Sequence, residues 1–334
     1  MAQELIDISG NKNSEGVGLK IEPNNIYLGD CLELMKYIPD KSIDMILCDL
    51  PYGTTACKWD TIIPFNKHIK EINNRGKEII LYRDEYILQE VKKGKSYKDI
   101  INYFDNNAID GLWDNYNRII KDNGVIVLFG SHLFASALVM SNPKKFKYCG
   151  YWIKDKPSNF LMGKKQPLRY VEEWVVFYKK LRTYNPIMEL REQKNKRKNK
   201  LTSSLLKNEI IGINEKTDKY QERLLSGTKD YIYPRNYQFF NNRTKGLHPT
   251  QKPVALCEYL IKTYTNEDET VLDNCMGSGT TAVACINTNR KYIGFELDPD
   301  YYALATARLE AVKAQISIFD EPEPTEKWEQ AKFI

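Results

Sequence analysis

Between Glu269 and Glu296 a strand, a glycine turn, a helix and a second strand follow one another, and no other stretch restricts the fold of this chain as strongly. Glu269-Thr270-Val271-Leu272-Asp273 reads as the first strand. The turn is Asn274-Cys275-Met276-Gly277-Ser278-Gly279-Thr280-Thr281, and Ala282-Val283-Ala284-Cys285-Ile286 starts an apolar helix. Lys291-Tyr292-Ile293-Gly294-Phe295 reads as the second strand, with Glu296 at its end. Asp298-Pro299 then opens a further helix with a cap and an N1 proline. This is a βαβ unit laid out like a nucleotide-binding half-fold, which places the chain in the α/β class. Gly277 and Gly279 allow a ligand close to the backbone, and Glu296 can accept hydrogen bonds from ribose hydroxyls. Thr280-Thr281 stands where a dinucleotide fingerprint has its third glycine, and no lysine follows as in a P-loop. A loop without phosphate-binding features, paired with a ribose-binding acid, fits a nucleoside ligand lacking phosphates.

A second site lies far upstream. Ser42-Ile43-Asp44-Met45-Ile46-Leu47-Cys48 reads as a buried parallel strand. Asp49 therefore emerges at the carboxyl edge of a sheet, where open α/β folds place ligands. Pro51 fixes its own φ and biases Leu50 toward extended backbone, leaving the Leu50 carbonyl to accept a hydrogen bond. With Tyr52 beside them, Asp49 and Leu50 suit a planar amine: two acceptors for its N–H groups and a flat surface for its ring. Asn25 to Asp30 reads as another strand ending in an acid, followed by a helix start from Cys31 to Tyr37. Asp30 either caps that helix or accepts a hydrogen bond from an adenine amino group. Gly124–Gly130 reads as a central strand and Tyr148–Ile153 as another.

Taken in this order, the motifs resemble those of the permuted (beta-type) amino-group DNA methyltransferases over roughly residues 24–64, 111–180 and 246–312. In that family an Asp-Pro-Pro-Tyr tetrad meets a flipped base, and Asp49-Leu50-Pro51-Tyr52 matches it with Leu50 in second place. The family's His-Pro-Thr-Gln-Lys-Pro segment recurs in full from His248 to Pro253. Its Asp-Pro-Phe-x-Gly-Ser-Gly-Thr loop is matched from Asp273 to Thr280, with Asn274 and Cys275 replacing Pro and Phe. Cys275 for an aromatic thins one wall of the cofactor pocket. The resemblance implies a Rossmann-like fold with a mostly parallel seven-stranded sheet and S-adenosylmethionine as cofactor. It assigns cofactor contacts to Asp30, Cys31, His248, Thr250, Lys252, Asp273, Asn274, Gly277, Ser278, Gly279, Thr280, Thr281, Glu296 and Leu297. Catalysis falls to Asp49, Leu50, Pro51 and Tyr52, with no metal required.

The implied reaction is site-specific methylation of adenine N6 in duplex DNA, in the manner of restriction-modification enzymes. A cytosine C5 enzyme needs a nucleophilic cysteine in a Pro-Cys motif, and this sequence has no Pro-Cys dipeptide. Cytosine N4 enzymes of the family usually carry Ser where Asp49 stands, which favours adenine and leaves N4 as the alternative. A DNA-binding protein that kept the fold without catalysis, and a methyltransferase for RNA or protein, are the rivals from other classes.

With 334 residues, 42% of them hydrophobic, the chain can bury a full α/β core and smaller lobes. It has no apolar run of membrane-spanning length and no signal-peptide pattern at its N-terminus. Seven scattered cysteines suit a reducing, cytoplasmic compartment and outline neither a zinc site nor a disulfide framework. The net charge of +5 is concentrated in a basic cluster from Lys179 to Lys200, which is either a solvated run or a phosphate-facing surface. The methyltransferase domain is expected over 24–180 and 246–314, after an N-terminal tail of 1–23. Residues 181–245, with Tyr231, Tyr233, Arg235, Asn236, Tyr237 and Asn242, form the expected target-recognition region. A helical insertion spans 66–110, with helical patterns at Glu85–Val91 and Ser96–Phe104 around Gly94 that resemble a helix-turn-helix or else form a structural embellishment. In the C-terminal tail, 315–334, Gln315-Ile316-Ser317-Ile318-Phe319 resembles a sliding-clamp docking peptide, or else packs as a simple tail. Double-stranded DNA is the expected partner, with a sliding clamp and a second copy of the chain as further candidates and no membrane.

Overall fold

The computed structural model describes residues 20–53, 61–73, 75–180, 183–190, 231–241 and 251–320, the last five by backbone alone. Two compact units divide the chain, Met1–Tyr184 with Tyr237–Ile334, and Asn185–Asn236. The large unit begins with β1 (Asn25–Leu28) and the single-turn helix α1 (Cys31–Leu34), followed by β2 (Ile43–Cys48). A hairpin of β3 (His68–Ile72) and β4 (Glu78–Tyr82) comes next, with helices α2 (Arg83–Lys92), α3 (Tyr97–Asn107) and α4 (Leu112–Ile119). The chain continues through β5 (Ile120–Gly130), α5 (His132–Ser141), β6 (Phe146–Ile153) and β7 (Val171–Tyr178). In the small unit β8 (Glu189–Leu190) pairs antiparallel with β9 (Tyr231–Ile232), and the Arg235 guanidinium meets the Glu189 carboxylate at 2.8 Å. The large unit resumes with β10 (Tyr237–Phe239), α6 (Val254–Tyr264), β11 (Thr270–Asp273), α7 (Thr280–Asn287), β12 (Lys291–Glu296) and α8 (Pro299–Asp320).

One eight-stranded sheet runs β1-β12-β11-β2-β5-β7-β6-β10. β7 is antiparallel to both neighbours and the remaining pairings are parallel. The seven strands expected gain an eighth in β10, three residues at the sheet edge that are too short to give a strand signal. Alternation along the central strands divides the core in two. Ile46, Cys48, Ile126, Leu128 and Phe177 point to the face covered by α1, α4 and α5. Met45, Leu47, Val127, Phe129 and Val176 point to the face covered by α6, α7 and α8. Helices on both faces leave the strand ends as the open edge, so the site must be built there.

The two helical patterns of the insertion appear as α2 and α3, joined through Gly94 at φ +83. A β-hairpin precedes them, so the insertion is not purely helical. Ile69, Tyr86, Ile100 and Phe104 give it a small core of its own. Among the described residues no helix is long and apolar enough to cross a membrane. The clamp-like segment falls on the end of α8, where the side chains from 316 onward lie outside the described residues.

Candidate active site

Asp49 leaves the end of β2, Asp273 ends β11 and Glu296 ends β12, and β11 lies between the other two. Parallel pairing puts these carboxylates at one edge of the sheet, where they line a single cavity of about 460 Å³.

On one wall, Asp49 Oδ1 accepts from the Tyr52 hydroxyl at 2.9 Å and Oδ2 from Lys252 Nζ at 2.5 Å. The Tyr52 ring stacks on Phe134, centroids 4.6 Å apart and planes 27° apart. Lys252 is buried, 3.5 Å from Glu172 Oε2, with its ammonium 5.2 Å from the centroid of the Phe129 ring. Glu172 in turn pairs with buried Lys154. Two ammonium groups and two carboxylates thus alternate as Lys154, Glu172, Lys252 and Asp49. Burial alone would lower the Lys252 pKa, but Asp49 and Glu172 outweigh it and raise it, so the ammonium stays charged at neutral pH. Burial likewise works against a charged Glu172, and Lys252 and Lys154 prevail to lower its pKa.

The opposite wall is the glycine loop, and its carboxylates hold its shape. Gly277 and Gly279 adopt φ +53 and +78, conformations that disfavour any side chain. Glu296 Oε2 accepts from the Gly277 amide at 2.6 Å and Oε1 from the Asp298 amide at 2.9 Å. Asp273 Oδ1 accepts from the Cys275 amide at 3.1 Å and Oδ2 from the Thr281 hydroxyl at 2.6 Å. Burial pushes the Asp273 pKa up to about 6 despite those hydrogen bonds. Asn274 is buried too, its Oδ1 accepting from Tyr116 at 2.5 Å and its Nδ2 facing the Cys31 and Cys275 thiols. Asp30 Oδ1 caps α1 through the Leu32 amide at 2.7 Å. Of its two readings, capping is therefore the one the structure displays, although Asp30 also lines the cavity.

The cavity gathers Asp49, Leu50, Pro51 and Tyr52 with Asp30, Cys31, Lys252, Asp273, Asn274, Gly277, Ser278, Thr280, Thr281, Glu296 and Leu297. Gly279 does not line it: it is the left-handed cap of α7, packed where a side-chain carbon would lie 3.2 Å from Ala305 Cβ. Lys252, expected against the cofactor, lines the cavity and grips the carboxylate of the tetrad. His248 and Thr250 lie outside the described residues.

Sequence reasoning missed several contributors. Glu172 and Lys154 complete the charge chain, and the one available signal was the acid pair Glu172-Glu173 at the start of the otherwise apolar strand Val171–Tyr178. Phe134 backs the tetrad from a helix with no motif of its own. The insertion also reaches the cavity, through His68, Lys70, Glu78 and Ile80 of the unforeseen hairpin. His68 is fully buried, its Nε2 has no hydrogen-bond partner among the described residues, and burial lowers its pKa.

In sequence the chain is similar to known DNA methyltransferases. The sequence profile of a family described as DNA methylase, of N6/N4 type, matches residues 43–307. Over 294 residues the chain is 26% identical to the type II methyltransferase M2.MboI of Moraxella bovis, covering 85% of this chain and 86% of that protein. It is 25% identical over 304 residues to the type II methyltransferase M.HindIII of Haemophilus influenzae, covering 85% and 94%. Among solved structures, that of M1.HpyAVI in complex with SAM superposes with a TM-score of 0.47 at 22% identity, covering 85% of this chain and 98% of that one.

Proposed function

This chain belongs to the N6/N4 family of DNA methylases, and we propose that it methylates adenine N6 in duplex DNA, using S-adenosylmethionine. The observation that carries the reading is the shared cavity: an amine-orienting carboxylate on one wall and a nucleoside-type glycine loop on the other. The cavity fits that cofactor. A side-chain carbon on Gly277 would meet no protein atom within 4 Å, so the loop borders open space, and Glu296 stands beside it for ribose hydroxyls. About 460 Å³ also lies within the roughly 300–1,000 Å³ range of small-molecule sites. Bound there, S-adenosylmethionine supplies an electrophilic methyl group on a sulfonium.

The chain's own residues have to supply position and polarity. The amine of adenine is a poor nucleophile because its lone pair is delocalised into the ring. Asp49 and the Leu50 carbonyl accept its two hydrogens and favour a tetrahedral nitrogen whose lone pair faces the donor. Each Asp49 oxygen already takes one hydrogen bond and keeps a second lone pair for the base. Lys252 and Tyr52 hold the carboxylate in register, so that it orients the amine and need not act as a strong base. The Tyr52 ring, backed by Phe134, offers its other face to the extruded purine and offsets part of the unstacking cost. Free buried thiols at the cavity suit the reducing cytoplasm.

The test is incubation of duplex DNA with protein and S-adenosylmethionine, followed by digestion to nucleosides and mass spectrometry. N6-methyladenine is the expected product. N4-methylcytosine alone would overturn the choice of base, and no methylated nucleoside from DNA of any sequence would overturn the activity.

A further inference from the structure

The connection between β6 and β7 carries a feature that methyl transfer itself does not use. β6 runs parallel to β2, because β7 is antiparallel to both β5 and β6 while β5 is parallel to β2. The chain leaving Ile153 therefore rises from the same edge of the sheet as Asp49. Its neck is tied to the site, since Lys154 donates its amide to Tyr170 O at 2.8 Å and pairs its ammonium with Glu172. At its crest Phe160–Met162 forms one 3-10 turn, with Phe160 70% exposed and Leu161 83% exposed.

This turn is held rigidly. The Met162 amide donates to Asn159 O at 2.9 Å, and the Lys165 amide to Met162 O at 2.8 Å. Below it, buried Asn159 accepts the Arg169 amide at 2.6 Å through its side chain. An ordered turn that keeps a Phe and a Leu in water forgoes the burial that apolar side chains of this size normally gain. Exposed lysines surround it: Lys156 before the crest, Lys164 and Lys165 directly after it.

We propose that Phe160 and Leu161 form a wedge that enters the base stack of duplex DNA as the target base leaves it, with Lys164 and Lys165 on the flanking phosphates. Resting on the DNA-methylating function proposed above, the assignment adds the residues that open the duplex. Apolar wedges between base steps lower the cost of separating them, and lysines beside the wedge fix its register on the backbone. The charge argues for a polyanion as occupant. A turn raised on the edge that bears the amine-orienting carboxylate is placed to act on the neighbouring step of the same duplex.

The experiment compares the full-length protein with the variant Phe160→Ala/Leu161→Ala on a duplex containing the methylated site, mapped beforehand by sequencing. Single-turnover methyl transfer is measured with the target base either paired or mismatched, a mismatch having already lowered the opening cost. The variant should lose about tenfold or more on the paired duplex and only about twofold on the mismatched one, with S-adenosylmethionine affinity unchanged. Equal losses on both duplexes, or none, would overturn the wedge while leaving the enzymatic function intact. Failure of the unsubstituted protein to methylate any duplex would sink that function and the wedge with it.

Discussion

Replacing Lys252 with Met separates two roles that one lysine could have. The substitution roughly preserves volume and removes an ammonium 2.5 Å from Asp49 Oδ2 and 3.5 Å from Glu172 Oε2. Glu172 keeps Lys154, so the group left without a cation is Asp49, whose side chain is 27% exposed and recovers some hydration. Breaking a buried ion pair by deleting one partner costs about 3–5 kcal/mol, and the partial exposure argues for the lower end, about 3 kcal/mol. In a chain of this size that lowers Tm by roughly 5–10 °C. A carboxylate released from its clamp also loses its aim at the amine, and losing one preorganised electrostatic contact typically lowers kcat by about a hundredfold. The decisive reading is S-adenosylmethionine affinity by titration calorimetry on the folded variant, which should stay within about threefold of the unsubstituted protein, a change under 1 kcal/mol. Intact kcat with a much weaker donor affinity would return Lys252 to the cofactor and refute the argument. An unchanged Tm would refute its energetic half.

Four further substitutions probe the cavity and the loop behind it. Tyr52→Phe removes the 2.9 Å hydrogen bond to Asp49 and keeps the stack on Phe134, so kcat should fall about tenfold with little change in DNA affinity; a rate equal to that of the unsubstituted protein would remove the hydroxyl from the mechanism. The Asp273 pKa rises on folding from an ordinary 3.8 to about 6, so the folded state holds that proton more tightly than the unfolded one. Its contribution is full below about pH 4 and lost above about pH 6, worth about 3 kcal/mol at most, and the Tm of Asp273→Asn minus that of the unsubstituted protein should rise across that window. A flat difference would show that burial does not raise this group. Ala substitution should separate the two glycines of the loop. Gly279→Ala strains a left-handed cap against Ala305 and should cost about 1–2 kcal/mol of stability. Gly277→Ala carries similar left-handed strain, but its new methyl also points into the open cavity, so this variant alone should weaken S-adenosylmethionine about tenfold, roughly 1.4 kcal/mol in binding.

Much of the fold was legible because its signals are local. Apolar runs such as Met45–Cys48 and Val125–Phe129 mark buried strands, and an acid closing such a run falls on the sheet edge whatever the tertiary details. Sequence alone therefore places Asp49, Asp273 and Glu296 on that edge. The hairpin His68–Tyr82 was hidden because Lys70, Glu71 and Glu78 break up its apolar pattern, and its burial comes from α2 and α3 packing on it. Partnerships across the chain were the least legible. Nothing in the sequence near Lys252 indicates that its ammonium reaches a carboxylate 203 positions away, since that contact is made by the sheet order. Gly279 shows the converse, a motif glycine whose local packing against Ala305 by itself demands the absence of a side chain.

The order of the motifs along the chain matters little once the sheet forms, because β11 inserts directly beside β2 with Val271 opposite Met45 and Leu272 opposite Ile46. Polar contacts brace that junction and the turn that follows β11. At the far end, Asp44 accepts the Thr270 amide at 3.0 Å and pairs with Lys121 at 2.6 Å, joining β2, β11 and β5. At the near end, the Tyr116 hydroxyl reaches across to Asn274 at 2.5 Å under the floor of the cavity. Buried polar links of this kind are costly to break, so β2, β11 and the start of the glycine loop are held in register. In-line displacement demands such fixed placement, because reacting atoms misplaced by about 1 Å can forfeit a hundredfold in rate. Motion therefore belongs on the nucleic-acid side of the reaction: the base must travel to a site already assembled, which makes an ordered apolar turn beside that site more useful than a mobile one.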